Sequence, residues 1–344
     1  MDAPPSLPRP GPGLPWICSL ALLLIGNPSP AAAPTLVSVQ RIWDAAPHNA
    51  FTDLTRFRTR WFCVFREGTG HVSPDGAIRV LTSRDGALWT SAALITSPRG
   101  DLRDPKIVPA PGRRLMLTAA VALPKPSTVT HQTLAWFSTD GHAWSEPVEV
   151  GDPNLWLWRV TWEDQAAYGI GYDTTAERFV RLYRSADGRA FETLVPRLLD
   201  DGYPNETSIV FTGRRERTAL CLLRRDGDPG TGKLGLSHPP YTHWHWKDLG
   251  VRIGGPHLLE LPDGRLVAAV RLYDGGARTS LAWLDPSAGR LTEFLRLPSG
   301  GDTSYPGLAS RRGLLWVSYY SSHEGRTSIY LARVNPGNPG PAPR

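Results

Sequence analysis

SRDGALW (Ser83–Trp89), STDGHAW (Ser138–Trp144) and SADGRAF (Ser185–Phe191) are three copies of one pattern, Ser-x-Asp-Gly-x-x-aromatic, starting 55 and 47 residues apart. A recurrence on that scale is the signature of a repeat architecture. Within each copy the Asp carboxylate can accept from turn amides, Gly supplies a positive φ, and the aromatic ring can cover the side of the unit. The pattern therefore reads as a structural turn, and no catalytic role is expected for Asp85, Asp140 or Asp187.

Working outward, each copy directly follows an apolar strand-like run: IRVLTS, TLAWFST and FVRLYRS. Two further runs precede each of these. Six segments share the resulting shape, with first runs HNAFTDLTRF, DLRDPKIVPA, LWLWRVTWED, YPNETSIVFT, GGPHLLELPDG and TSYPGLASRRG. Six units of four antiparallel strands predict an all-β, six-bladed β-propeller over residues 34–334. LVSVQRIWD (Leu36–Asp44) reads as an extra strand that completes the last blade and closes the ring. Residues 335–344, NPGNPGPAPR, are expected to be a disordered tail.

Composition agrees with this class. Of 344 residues, 41% are hydrophobic and 20% charged, and 34 Gly, 33 Pro and 13 Trp suit many short strands and turns. Residues 1–33 read as a signal peptide: Arg9, the apolar run Trp16–Gly26, then Ala31–Ala33. The run is too short to span a membrane comfortably. A secreted or periplasmic protein without stable membrane insertion is expected. Cys63 and Cys221 lie in strand-like runs of distant units and are expected as free core thiols. The net charge of +6 carries no long Lys/Arg run and no nucleic-acid motif, so no nucleic-acid partner is expected. The nine His are scattered, and neither a metal nor a cofactor is expected.

In a propeller blade the start of strand one and the end of strand two share a rim. Those positions offer Asp53, Asp104, Arg159, Glu206, His257 and Tyr305 from the first strands. Arg66, Arg224 and Arg271 come from the second, in CVFR, CLLR and AAVR. Arg225 follows Arg224 on the opposite side of its strand, and the sequence leaves open which of the two faces the rim. Three converging guanidinium groups would bind a carboxylate. A buried Tyr beside a Glu could pass its proton to that base and act as a nucleophile.

These residues resemble the sialidase (neuraminidase) superfamily, in particular secreted bacterial exo-α-sialidase-like proteins with Asp-box repeats, over nearly the whole chain after the leader. The resemblance implies a glycosidase that releases a terminal acidic sugar. Tyr305 and Glu206 would be the nucleophile pair, and Arg66, Arg224 or Arg225, and Arg271 the carboxylate clamp. It implies an acid/base in the loop REGTGHVSPDGAI, at Asp75 or at its rival His71. The partner would be a glycan bearing an anionic sugar. One place departs from the family: where an Arg-Ile-Pro motif is usual, this chain reads NAFTDL, with Asp53. RDP (Arg103–Pro105) is similar to a motif of five-bladed furanosidase-type glycosidases and puts Asp104 at the pocket. Two other functions fit the same rim. One is a non-catalytic glycan-binding propeller. The other is a uronate-directed hydrolase or lyase in which Tyr305 works with His257 or His71.

Overall fold

The structure, a computed structural model, describes residues 1–5, 32–213 and 216–338. Most of the expected leader and the end of the tail lie outside the described residues. Six four-stranded antiparallel sheets form the ring of a six-bladed propeller. The innermost strands of blades one to six are His48–Phe57, Asp101–Ala110, Leu155–Glu163, Pro204–Thr212, Ile253–Glu260 and Thr303–Arg311. In blade six the outermost strand is Thr35–Trp43, paired antiparallel with Ser328–Asn335. The two ends of the chain thus close the ring in one sheet, and no blade edge is left open between them. The last strand runs on to Asn335, and Arg265 donates to the carbonyls of Pro336 and Gly337, so the start of the expected tail is held against the body.

Alternation of apolar residues explains the core. Each blade buries its faces against its neighbours, as where Phe62, Val64, Val80, Leu102, Leu117 and Trp136 meet between blades one and two. Cys63 and Cys221 are both fully buried and unbridged, with their thiols pushed well above the usual range by burial.

All three Ser-x-Asp-Gly turns join the third strand of a blade to the fourth. In the second copy, Asp140 Oδ1 accepts from the amides of His142 and Ala143 at 2.8 and 3.0 Å, and Ser138 Oγ accepts from Gly141 N at 2.8 Å. Gly141 has φ +79°, and a Cβ there would run into Phe62 of the preceding blade. The turn therefore requires Gly for both conformation and space. A variant without the serine-glycine pattern occurs in blade five, where Asp285 Oδ1 caps the amides of Ser287 and Ala288.

Candidate active site

Every inner strand carries a β-bulge at the same height. The register slips between Ala50 and Asp53, Arg103 and Lys106, Leu157 and Val160, Pro204 and Thr207, Gly254 and His257, and Ser304 and Gly307. The inserted pairs are Phe51-Thr52, Asp104-Pro105, Trp158-Arg159, Asn205-Glu206, Gly255-Pro256 and Tyr305-Pro306. Phe51, Asp104, Gly255 and Tyr305 have φ of 62°, 50°, 55° and 49°. Left-handed backbone in non-glycine residues is costly and concentrates at functional sites. Bulges also re-aim side chains. Here they gather Phe51, Trp158, Glu206 and Tyr305 at one level, where Gly255 leaves room for them.

At that level Tyr305 donates to Glu206 Oε1 at 2.5 Å. Arg224 Nη1 donates to the same Glu206 oxygen at 2.7 Å and to the Tyr305 hydroxyl at 3.1 Å. Glu206 Oε2 accepts from Gly255 N at 2.7 Å. A Cβ on Gly255 would lie 3.0 Å from Tyr305 Cα, so the absent side chain lets the two bulges meet. The Arg271 guanidinium lies 5.1 Å from the centre of the Tyr305 ring, and donates to Thr303 O at 2.7 Å and the Tyr320 hydroxyl at 3.0 Å. Phe51 and Trp158 pack edge-on against Tyr305, with centroids 5.1 and 5.6 Å away.

The charge states follow from these contacts. Burial works against an ionised Glu206, but Arg224, the Tyr305 hydroxyl and the Gly255 amide hold its carboxyl below the ordinary value. Burial, then the Glu206 charge, push the Tyr305 phenol far up. The shared proton therefore rests on Tyr305, and Glu206 is the carboxylate that accepts its hydrogen bond. Asp104 is different. Its carboxyl is raised, chiefly by burial, and its Oδ1 is buried without a hydrogen-bond partner among the described residues. It is a carboxyl disposed to keep its proton.

Arg224 is the arginine at the rim. Its neighbour Arg225 is turned away, to Asp201, Asp248 and the Thr231 carbonyl. The three arginines do not share one repeat position. Arg66, Arg225 and Arg271 are equivalent in pairing, opposite Ala50, Pro204 and Gly254, while Arg224 faces the bulge one residue earlier. Arg66 is fully buried and bound to Asp101 at 2.7 Å, to the Gly70 carbonyl and to Ser73, inside the wall between blades one and two. Arg103, not expected in this role, comes to the rim instead. Its guanidinium lies 5.4 Å from the Phe51 ring centre and donates to the His71 carbonyl.

Asp53 and His257 lie one layer beneath, because the bulge places the rim side chain two residues earlier than a regular strand would. Asp53 is 1% exposed, and its two oxygens are each 3.0 Å from Arg159 Nη1. His257 Nδ1 accepts from Leu308 N at 2.9 Å and sits 3.7 Å from Asp53. Burial pushes His257 down to about 3 and Lys106, over the Trp158 ring, down to about 8. These groups line one end of an axial cavity of about 350 Å³ that is otherwise walled by Ile107, Leu258 and neighbours.

In the loop after strand two of blade one, Asp75 is exposed and accepts from Thr69 N at 3.0 Å. Hydrogen bonds from Ser73 and Thr69 hold its carboxyl below the ordinary value. His71, from the same loop, packs edge-on against Phe51 at 5.0 Å. Besides Arg103, two site residues escaped the sequence reading. Tyr172 stacks on Trp156 at 5.6 Å and belongs to the cluster of Trp158 and Tyr305. Asp302 accepts from Tyr320 at 2.6 Å, behind Arg271. A signal for the bulges was present in the prolines at 105, 256 and 306, since Pro inside an inner strand is tolerated where no ladder amide is needed. Asn205-Glu206-Thr207 has the form of an N-glycosylation sequon, but Asn205 is 5% exposed and its amide bonds Tyr203 O and Asp226.

No family model and no curated protein matches the chain by sequence. Solved structures do. A Dyadobacter fermentans protein of unknown function superposes with a TM-score of 0.77 at 18% identity, covering 88% of this chain and 99% of that one. The Fusarium graminearum α-L-arabinofuranosidase Arb93A gives 0.66 at 12% identity, over 87% and 98% of the two chains. Trypanosoma rangeli sialidase gives 0.62 at 12% identity, over 88% of this chain and 59% of that one. At these identities the likeness is one of fold. Among the described residues, no helix is long and apolar enough to cross a membrane.

Proposed function

We propose that this chain is an exported glycoside hydrolase that releases a terminal acidic sugar from a glycan, with Tyr305 as nucleophile and Glu206 as its base. The observation that carries the reading is the 2.5 Å hydrogen bond from Tyr305 to an ionised Glu206, with Arg224 bound to both. Sialidase and arabinofuranosidase among the fold neighbours support the reaction class. Export rests on the apolar run Trp16–Gly26 and Ala31–Ala33.

In the first step Tyr305 Oη bonds to the anomeric carbon while its proton passes to Glu206 Oε1. The glycosidic C–O bond breaks, its electron pair stays on the leaving oxygen, and that oxygen takes the proton of a carboxylic acid. Asp104 suits this role better than Asp75, because Asp104 is buried, its carboxyl is raised by that burial and its Oδ1 has no hydrogen-bond partner among the described residues, whereas Asp75 is exposed and held below the ordinary value. In the second step the Asp104 carboxylate takes a proton from water as the water oxygen attacks the same carbon. The Tyr305–sugar bond breaks and Glu206 returns its proton to the phenolate. Two substitutions retain the anomeric configuration. A neutral nucleophile suits an anionic sugar, which a carboxylate would repel. Arg271, 3.9 Å from Asp302, and Arg103, 3.3 Å from Asp101, supply positive charge for the substrate carboxylate.

One observation favours a second reading. Phe51 stands at the first bulge position of blade one, and Arg66 is committed to the wall. With Arg224 engaged by Glu206 and Tyr305 and Arg103 paired with Asp101, less guanidinium is left for a carboxylate, and a neutral pentofuranoside is the alternative substrate. Assay of the purified protein on aryl sialosides, uronides and arabinofuranosides separates the two. Turnover of an acidic glycoside with retention supports the first. Turnover of the arabinofuranoside alone rejects the acidic-sugar assignment.

A further inference from the structure

His48, His71 and Asp302 are far apart in the chain, and the ring closure between blades one and six brings them together. His48 Nε2 is 3.2 Å and His71 Nδ1 2.9 Å from the same oxygen, Asp302 Oδ2. All three donor atoms lie within 4.8 Å of one another. Distances of about 3 Å between donors are what adjacent ligands show around an ion whose bonds are about 2.0–2.2 Å long. The His48 and His71 rings meet edge-on, with centroids 5.2 Å apart and planes at 72°, so their nitrogens approach one point from different directions.

We propose that His48, His71 and Asp302 form a binding site for one borderline divalent cation of the zinc class, latching the loop of blade one to blade six beside the candidate active site. Two imidazoles and one carboxylate select zinc, cobalt or nickel over calcium and magnesium, which prefer all-oxygen shells. The side chains of His71 and Asp302 are 50% and 33% exposed, so the remaining coordination position is open to water. The outer shell is half built. Asp302 Oδ1 accepts from Tyr320 at 2.6 Å, which orients the carboxylate, while His48 Nδ1 is buried with no partner among the described residues. Through Tyr320 the site touches Arg271, but cation binding needs no catalysis. Its failure and that of the glycosidase reading are therefore separate results.

The test uses the chain without a polyhistidine tag, freed of metal by a chelator and titrated with Co²⁺ and with Zn²⁺. The expected result is one Co²⁺ per chain, with visible ligand-field absorption that Zn²⁺ displaces. His71→Ala, at an exposed position, should weaken binding roughly tenfold or more, the scale on which even outer-shell changes act. Asp302→Asn and His48→Ala should do the same. The unfolding temperature should rise with Zn²⁺ in the wild type and not in His71→Ala, because a ligand held only by the native state stabilises it. Absence of stoichiometric binding in the wild type overturns the proposal. So does binding that survives unchanged in both His71→Ala and His48→Ala, since the ion would then sit elsewhere.

Discussion

Two carboxyls set the chemistry at the scale of single residues, because their surroundings move them apart. Glu206 is held low by Arg224 and the Tyr305 hydroxyl despite burial, and Asp104 is raised by burial. The active form has Glu206 ionised and Asp104 protonated. Activity should therefore rise as pH climbs through the Glu206 value and fall as it climbs through the Asp104 value, giving a bell in kcat/KM. Asp104→Asn should abolish the alkaline limb. It should also slow substrates with poor leaving groups far more than those with activated ones. An unchanged profile in Asp104→Asn assigns the acid elsewhere, with His71 next in position. Stability follows the same shifts with opposite signs. The raised Asp104 contributes stability below its unfolded value and loses it as pH rises through its folded value. The lowered Glu206 contributes above its unfolded value and loses it as pH falls through its folded one.

Elements decide where those residues point. The turn Ser138–Trp144 and the bulge at Gly255 illustrate two kinds of local device. Ser138 is 4% exposed and its Oγ caps Gly141 N. Ser138→Ala should lower unfolding stability by about 1 kcal/mol, the usual value of such a bond, and leave turnover per folded molecule unchanged. Gly255→Ala should do the reverse. An added Cβ 3.0 Å from Tyr305 Cα, at φ 55°, must displace the strand that carries the nucleophile. Activity should drop at least tenfold, with a smaller change in denaturation midpoint than in rate. The two devices also differ in how they can be read. The turn repeats the same residues at the same spacing, so Ser-x-Asp-Gly located the third-to-fourth strand connection directly. The bulge repeats a register slip with different residues in each blade: Phe51, Asp104, Trp158, Asn205, Gly255 and Tyr305. A regular-strand reading therefore reaches Asp53 and His257, two residues too deep, and treats Arg224 as equivalent to Arg66 when pairing sets them one residue apart. Glu206 and Tyr305 were legible because chemistry, not register, singled them out. Asp302 and Tyr172 were not, because an isolated Asp or Tyr in a strand end carries no pattern.

At the scale of the whole molecule, the blades are joined by more than apolar packing. The Asp53–Arg159 pair ties blade one to blade three across the axis, with Asp53 1% exposed. Removing one partner leaves a buried charge without compensation. Asp53→Ala should cost about 3–5 kcal/mol in chemical denaturation, whereas a loss under 1 kcal/mol means that water reaches Arg159. The ring itself is what makes a site from residues 99 positions apart, as Glu206 and Tyr305 are. Whether that pair does the proposed chemistry is tested most directly by trapping. A fluorinated, activated glycoside of the preferred substrate, incubated with the enzyme and followed by peptide mass spectrometry, should leave one sugar on Tyr305. The adduct should be absent in Tyr305→Phe, with turnover down on the order of a hundredfold, about 3 kcal/mol of lost transition-state stabilisation. An adduct on Glu206, or full activity in Tyr305→Phe, contradicts the account.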